Sequence, residues 1–318
     1  MRLLGLGIFA LIIAVLPILF PENYYITVVG VTMFFNVILA VGLNLFMGYA
    51  GQISLGHAAF FGLGAYASAI LTTKFGWNPW AAMGAGIILV WLISYLVAKP
   101  ILRLKGHYLA MATLGFGIII HIFLVQYDTL TGGPDGLSSI PELSIFGWPI
   151  NTDLRWYAVS AVVMLLSILF SLNIVASKHG RALKAVHGSE VAAEMMGIDT
   201  SKVKVHIFVI SAIMASITGS LFAHEQAFVS PDSCSFFFSI ELVTMVVLGG
   251  MASTFGAVFG AAILTYLPEF LVVFQDFKVL IFGGILMFIM IFLPEGLFVG
   301  LCKFVSHFKQ GGRQCLPS

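Results

Sequence analysis

Ten apolar runs, each about the length needed to cross a hydrocarbon core of roughly 30 Å, dictate the fold of this chain before any motif is considered. They lie near 3–20, 26–47, 53–73, 79–98, 107–127, 155–175, 203–223, 236–251, 255–275 and 279–299. In lipid every backbone polar group must be satisfied inside the protein, so such runs form helices. The expected fold is an all-α polytopic integral membrane protein with about ten transmembrane or re-entrant helices. The runs 53–73 and 236–251 are rich in small residues, and the second is short for a full crossing. A broken or re-entrant helix is expected at either. The first run lacks a small-residue cleavage pattern and leads into "FPENYY", so it reads as a retained helix.

Only 9% of residues are charged and the formal net charge is +1, so no nucleic-acid partner is implied; what matters is where the charges sit. Lys99, Arg103 and Lys105 follow the fourth run, Lys178, Arg181, Lys184, Lys202 and Lys204 follow the sixth, and Lys303, Lys309 and Arg313 lie in the tail. The positive-inside rule places all three groups in the cytoplasm. The segment 128–154, with Asp128, Asp135, Glu142 and Asp153 and only Arg155 just beyond it, belongs outside. Counting spans between these loops places both termini in the cytoplasm. With no long polar linker or low-complexity tract, residues 1–318 read as a single transmembrane domain.

Several chemistries find no support. No G-x-x-x-x-G-K-[ST] phosphate loop occurs, so ATP hydrolysis by that route is excluded. Cys234, Cys302 and Cys315 have neither paired nor metal-ligand spacing, and no cofactor or metal is indicated. The last four residues match a prenylation box only superficially, since a lipid anchor adds little to a chain held by many helices. Small residues at four-residue spacing, Gly64/Ser68, Ala65/Ala69 and Ala252/Gly256/Gly260, predict close helix packing.

The stretch from Lys178 to Lys204 is polar but patterned. Ala182, Ala185 and Val186 share one helical face, and Val191, Met195 and Ile198 share another beyond Gly188. Ser189 is placed to cap the second helix, Gly197 to end it, and Asp199, Thr200 or Ser201 to cap the next. The product is a short helix-turn-helix with an apolar face that must lie either on the bilayer and neighbouring helix ends or on a partner.

Within it, "GRALKAVHGSEVAAEMMGID" (180–199) resembles the cytoplasmic coupling loop of ABC-transporter permeases. "NLFMGYAGQISLGHAAFFGLGAYASAIL" (44–71), "LTGGPDGLSSIP" (130–141) with "FG" (146–147), and "VVLGGMASTFGAVFGAAIL" (246–264) followed by "FLPEGL" (292–297) resemble the M-type permease of high-affinity branched-chain amino acid importers. The likeness is collinear over nearly the whole chain. It implies a bacterial inner-membrane permease domain with coupling helices between its two halves. It also implies a second homologous permease, two ABC ATPase subunits, a periplasmic substrate-binding protein and an amino-acid substrate. The loop, bounded at 178–202, would present Gly180, Arg181, Ala182, Lys184, Ala185, Gly188, Glu190, Ala192, Ala193 and Gly197 to the ATPase, with Glu190, Glu194, Arg181 and Lys184 pairing across the contact.

Polar residues at membrane depth are costly and default to functional candidates. Gln52, Ser54 and His57 stand beside Gly48, Gly51 and Gly56, where a helix break would free backbone groups to face a cavity; His57 reads first as a helix-packing or interface histidine. Glu241 either lines a cavity or snorkels to the outer interface. Gly133, Asp135 and Gly136 form either a docking surface for the binding protein or a plain turn. Nothing in these residues reads an isobutyl side chain, so urea, short amides and other amino acids remain alternative cargo. An ion-coupled secondary transporter would need intramembrane ionisable pairs, which the sequence does not offer.

Overall fold

The structure, a computed structural model, describes residues 2–19, 23–145, 148–271, 283, 284 and 287. The run 279–299, the "FLPEGL" segment, "FG" at 146–147, Cys302, Cys315 and the basic tail lie outside the described residues. Among the described residues the chain is overwhelmingly helical. The helices are α1 (Arg2–Leu19), α2 (Tyr24–Asn44), α3 (His57–Thr73), α4 (Pro79–Ile101), α5 (His107–Gln126), the single turn α6 (Asp128–Thr131), α7 (Asp153–Ala176), α8 (Lys178–Gly188), α9 (Glu190–Met195), α10 (Thr200–Gln226), α11 (Phe236–Gly249) and α12 (Thr254–Phe270). Extended by the π-helical turn Leu45–Tyr49, α2 is long and apolar enough to cross a membrane, and so are α4, α5, α7 and α10; α11 and α12 are shorter apolar helices. The chain is a multi-pass membrane protein.

Caps fix where several helices begin. The side chains of Asn23, Asn78, Ser177, Ser189, Asp199 and Ser253 accept hydrogen bonds from backbone N–H groups in the first turns of α2, α4, α8, α9, α10 and α12, satisfying donors that have no partner within the helix. Pro79 opens α4 at a position where its missing N–H costs nothing.

Two helices form the interior. α2 and α10 are largely buried, whereas α4 and α5 keep most of their surface on the outside. α3 and α10 cross in close contact. A Cβ at Gly219 would collide with the Phe61 carbonyl, and one at Gly64 with the backbone of Ser216. Ser220 Oγ donates to the Gly64 carbonyl at 3.0 Å. Small residues thus let two backbones touch, as the Gly64 spacing predicts. In α12, Gly256 and Gly260 meet Gly249 and Met245 of α11 in the same way. Ala252, grouped with them by spacing, sits instead in the intervening turn at φ 58°.

Neither doubtful run has a break within its helix; each holds one continuous helix, and the non-helical segments lie before it. The first gives a non-helical link after the π-turn, and α3 begins only at His57. The second gives α11, whose 14 residues span about 21 Å. Its 3₁₀ turn, Pro231–Cys234, dips far enough into the bundle that a Cβ at Gly62 of α3 would strike Cys234 Sγ. α11 therefore starts inside the bundle.

The segment 128–154 caps one end. β1 (Leu137–Ser138) pairs antiparallel with β4 (Phe228–Val229) after α10, and β2 (Ser144–Ile145) with β3 (Trp148–Pro149). These four two-residue strands are what the all-helical expectation lacked. His224 of α10 locks the cap down through its ring nitrogens, one 2.8 Å from Ser68 Oγ and the other 2.8 Å from the Pro141 carbonyl. The opposite end carries Lys105, Lys204, α8 and α9, and is called the basic end below.

Candidate functional site

At the basic end α8 and α9 form the expected hairpin. Ser189 Oγ accepts the Ala192 N–H at 3.3 Å, Gly197 ends the hairpin at φ 80°, and Asp199 Oδ1 accepts the Lys202 N–H at 3.0 Å to start α10. A left-handed residue at a helix end is strained for anything but glycine, which accounts for Gly197.

The hairpin's faces differ from those that spacing alone assigns. Leu183 and Val186 turn inward and are buried, while Ala182 and Ala185 are half-buried. Gly180 is pressed against the end of α7, where a Cβ would collide with the Val175 carbonyl, and Ala193 is buried. Both were assigned to a partner's surface from the sequence; both pack within the chain. Outward stand Arg181, Lys184, Gly188, Ala192 and Gly197. With them stand Val191, Met195 and Met196, the two methionines 86% and 83% exposed. Gly188 has open space around it.

Glu190 does not face outward either. Its Oε1 accepts from Lys204 Nζ at 3.0 Å and Gln52 Nε2 at 3.2 Å, and its Oε2 lies 3.4 Å from Lys105 Nζ. Lys204 is 4% exposed, so its ammonium depends on this pairing. Burial alone would push the Glu190 carboxyl up, but the hydrogen bond and charge of Lys204, with those of Lys105, outweigh it and hold the group below its usual value. A carboxylate with a lowered folded value stabilises the fold fully above the unfolded value and loses that contribution as pH falls through the folded one. The node is thus complete at neutral pH and fails only in acid. Lys204→Met should lower stability by about 1–3 kcal/mol, discounted for the partial exposure of Glu190. In a thermal-unfolding cycle with Glu190→Gln the two losses should be clearly less than additive; additive losses would show that the pair is not coupled.

Four elements meet at this node: the hairpin, α10, the loop before α5, and the link between α2 and α3. His187 adds a second contact to the link, since a Cβ on Gly51, itself at φ 69°, would approach its Nδ1 to 2.9 Å. Asn44, wholly buried at the end of α2, extends the junction to the turn between α11 and α12, accepting the Ala252 N–H at 3.1 Å and donating to the Ser253 carbonyl at 3.0 Å.

The four candidate pathway residues do not converge. Gln52 belongs to the node. Ser54 is buried in the link, and His57 is buried at the first turn of α3, its Nε2 without a hydrogen-bond partner among the described residues. Glu241 lines a cavity of about 400 Å³ between α2, α3, α10 and α11, together with Asp232 and the rings of Phe35, Phe61, Phe222 and Phe238. A larger cavity of about 520 Å³, between α4, α7, α8 and α10, is lined by apolar groups and two histidines and carries no carboxylate. Gly133 and Gly136 are held at φ 59° and 73° against Asp128 and Val229, so turn geometry accounts for both, while Asp135 is exposed. His121 meets the Pro231 carbonyl at 3.2 Å.

Sequence reasoning passed over Asn44, Lys204 and the phenylalanine cluster. Asn36 and Asn44 lie eight residues apart on one face of an apolar helix, and a polar pair at that depth is a readable signal. The phenylalanines come from four separated segments and leave none.

The sequence profile described as "Branched-chain amino acid transport system / permease component" matches residues 24–292. The chain is 34% identical over 284 residues to the high-affinity branched-chain amino acid transport system permease protein LivM of Salmonella typhimurium, covering 82% of this chain and 67% of that protein. The same figures hold for LivM of Escherichia coli K12. LivH of Escherichia coli K12 is 25% identical over 282 residues, 82% of this chain and 90% of that protein. No solved structure matches the chain significantly.

Proposed function

The chain belongs to the permease-component family of branched-chain amino acid transport systems; it is a transport component and not itself an enzyme, and we propose that it forms half of the membrane pore of an ATP-driven importer. In this reading residues 1–318 are one permease domain in a bacterial inner membrane. The basic end and both termini face the cytoplasm, and the segment 128–154 faces the periplasm. A second homologous permease completes the pore, two ABC ATPases drive it, one of them docked on α8 and α9, and a periplasmic binding protein delivers leucine, isoleucine or valine to the side bearing Asp135.

The observation that carries this reading is the direct contact of the hairpin with the α2–α3 link, through His187 on Gly51 and Glu190 on Gln52. A partner that grips Val191, Ala192, Met195 and Met196 holds a lever fixed to α10, to the start of α5 and to the link. Movement of that lever displaces α3 relative to α11, and so changes access to the cavity between them. The exposed hairpin residues combine apolar Val191, Ala192, Met195 and Met196 with the charged Arg181, Lys184 and Glu194, a composition that suits a docking patch whose charges set register.

The test is co-purification with the ATPases, followed by uptake of radiolabelled leucine, valine and urea in a strain lacking its own carriers. Co-purification with leucine and valine uptake, and no urea uptake, is the expected result. Urea uptake without leucine uptake would overturn the cargo, and uptake without any ATPase would overturn the machinery.

A further inference from the structure

Glu241 projects from a helix that begins inside the bundle, and its carboxylate makes no hydrogen bond or ion pair among the described residues. A carboxylate at that depth without a cation is costly. Around it are the four rings described above. Phe61 packs on Phe222 and Phe238 with ring centroids 5.3 and 5.4 Å apart, and Phe222 on Phe35 at 6.4 Å. Phe35 and Phe61 are buried, while Phe222 and Phe238 keep part of their surface toward the cavity. Thr32 and Ser235 also line the cavity, and neither hydroxyl has a hydrogen-bond partner among the described residues. A cavity of about 400 Å³ is within the range that holds small-molecule ligands.

We propose that this cavity is a transient substrate site for a zwitterionic amino acid, in which Glu241 takes the α-ammonium, Thr32 and Ser235 face the α-carboxylate, and the phenylalanine cluster takes the aliphatic side chain. The lining fits an ammonium and an alkyl group, with Asp232 adding a second carboxylate to that of Glu241. A carboxylate bordered by aromatic faces attracts an ammonium both by charge and through the ring quadrupoles. The rings offer a branched aliphatic group an apolar wall with no hydrogen-bonding demand. Urea has no cation for Glu241 and no alkyl group for the rings, so the lining discriminates against it. Discrimination among alkyl groups is limited, since one methylene changes selectivity only about 10- to 200-fold in such a pocket. The site therefore selects a class of amino acid. The inference rests on the transport reading above and names the residues through which the cargo passes.

The test uses the complete transporter in proteoliposomes, with its partner permease, ATPases and binding protein, measuring radiolabelled amino-acid uptake and ATP hydrolysis in the same sample. Glu241→Gln should reduce leucine carried per ATP at least tenfold, and Glu241→Asp should recover a substantial part of it. Phe238→Ala should lower the leucine-to-alanine uptake ratio at least fivefold, a change that mere structural damage would not produce because both substrates share the protein sample. Should Glu241→Gln fail to co-purify with its partners, Thr32→Val and Phe238→Ala carry the test alone. Wild-type uptake per ATP in Glu241→Gln, or an unchanged leucine-to-alanine ratio in Phe238→Ala, would overturn the site and leave the transport reading standing. A wild-type complex that hydrolyses ATP and carries no leucine would overturn the transport reading as well.

Discussion

Leucine uptake is expected to fall about a hundredfold or more in Ala192→Arg and in Gly188→Trp, with the permease still folded and inserted. Ala192 and Gly188 both face outward on the hairpin, and Gly188 has open space around it, so neither replacement disturbs a neighbour within the chain. Against a partner the effect is severe. A guanidinium forced into an apolar contact has no counter-ion, and an indole at Gly188 holds the two surfaces apart. A hundredfold loss of docking corresponds to about 2.7 kcal/mol, within what one unpaired charge costs at a close interface. The measurements are uptake, ATPase co-purification and the thermal midpoint of the isolated permease. Gly180→Ala is the informative contrast: it lies on the same hairpin but against Val175, so it should lower the midpoint, whereas Ala192→Arg should not. Normal uptake by Ala192→Arg with ATPases bound would remove α9 from the docking surface.

Gly219→Val should cost the chain its fold. At the α3–α10 crossing the added side chain meets the Phe61 carbonyl and the Ala65 N–H, which are backbone and cannot rotate aside. The helices must separate, and the Ser220 bond to the Gly64 carbonyl separates with them. Overpacking alone costs about 1–3 kcal/mol; losing the bond and opening voids along two inner helices adds to it. The expected result is little monodisperse protein after extraction and a thermal midpoint lowered by many degrees. Gly84→Ala is its control, because nothing lies within 4 Å of the Cβ it would add and alanine favours the helix by about 1 kcal/mol. Equal behaviour of the two variants would show that the crossing is looser than the structure has it.

The hairpin shows what periodicity reads and where it stops. The caps and turn from Ser189 to Asp199 were legible because they depend on residues a few positions apart, although α9 ends at Met195, short of Ile198. Which face of α8 points inward was not, because Leu183 and Val186 are drawn in by α7, α10 and the π-turn, elements distant in sequence. Glu190 illustrates the same limit for charge. At the first turn of a helix it reads as an exposed acid, and only the arrival of Lys204, Lys105 and Gln52 from three other segments makes it the centre of a node. The pathway candidates divided for that reason too, Gln52 going to the node and Glu241 to the cavity.

By itself the sequence determined that this chain is a membrane helix bundle, which loop carries the hairpin, and the family to which it is similar. These follow from run length, glycine placement and short motifs, all local properties that lipid enforces on any chain. The tertiary structure alone decided that the hairpin touches the α2–α3 link, that Gly180 and Ala193 serve packing, and that four phenylalanines gather beside Glu241. Each of these is a meeting of segments far apart in the chain, fixed by which backbones the small residues allow to approach.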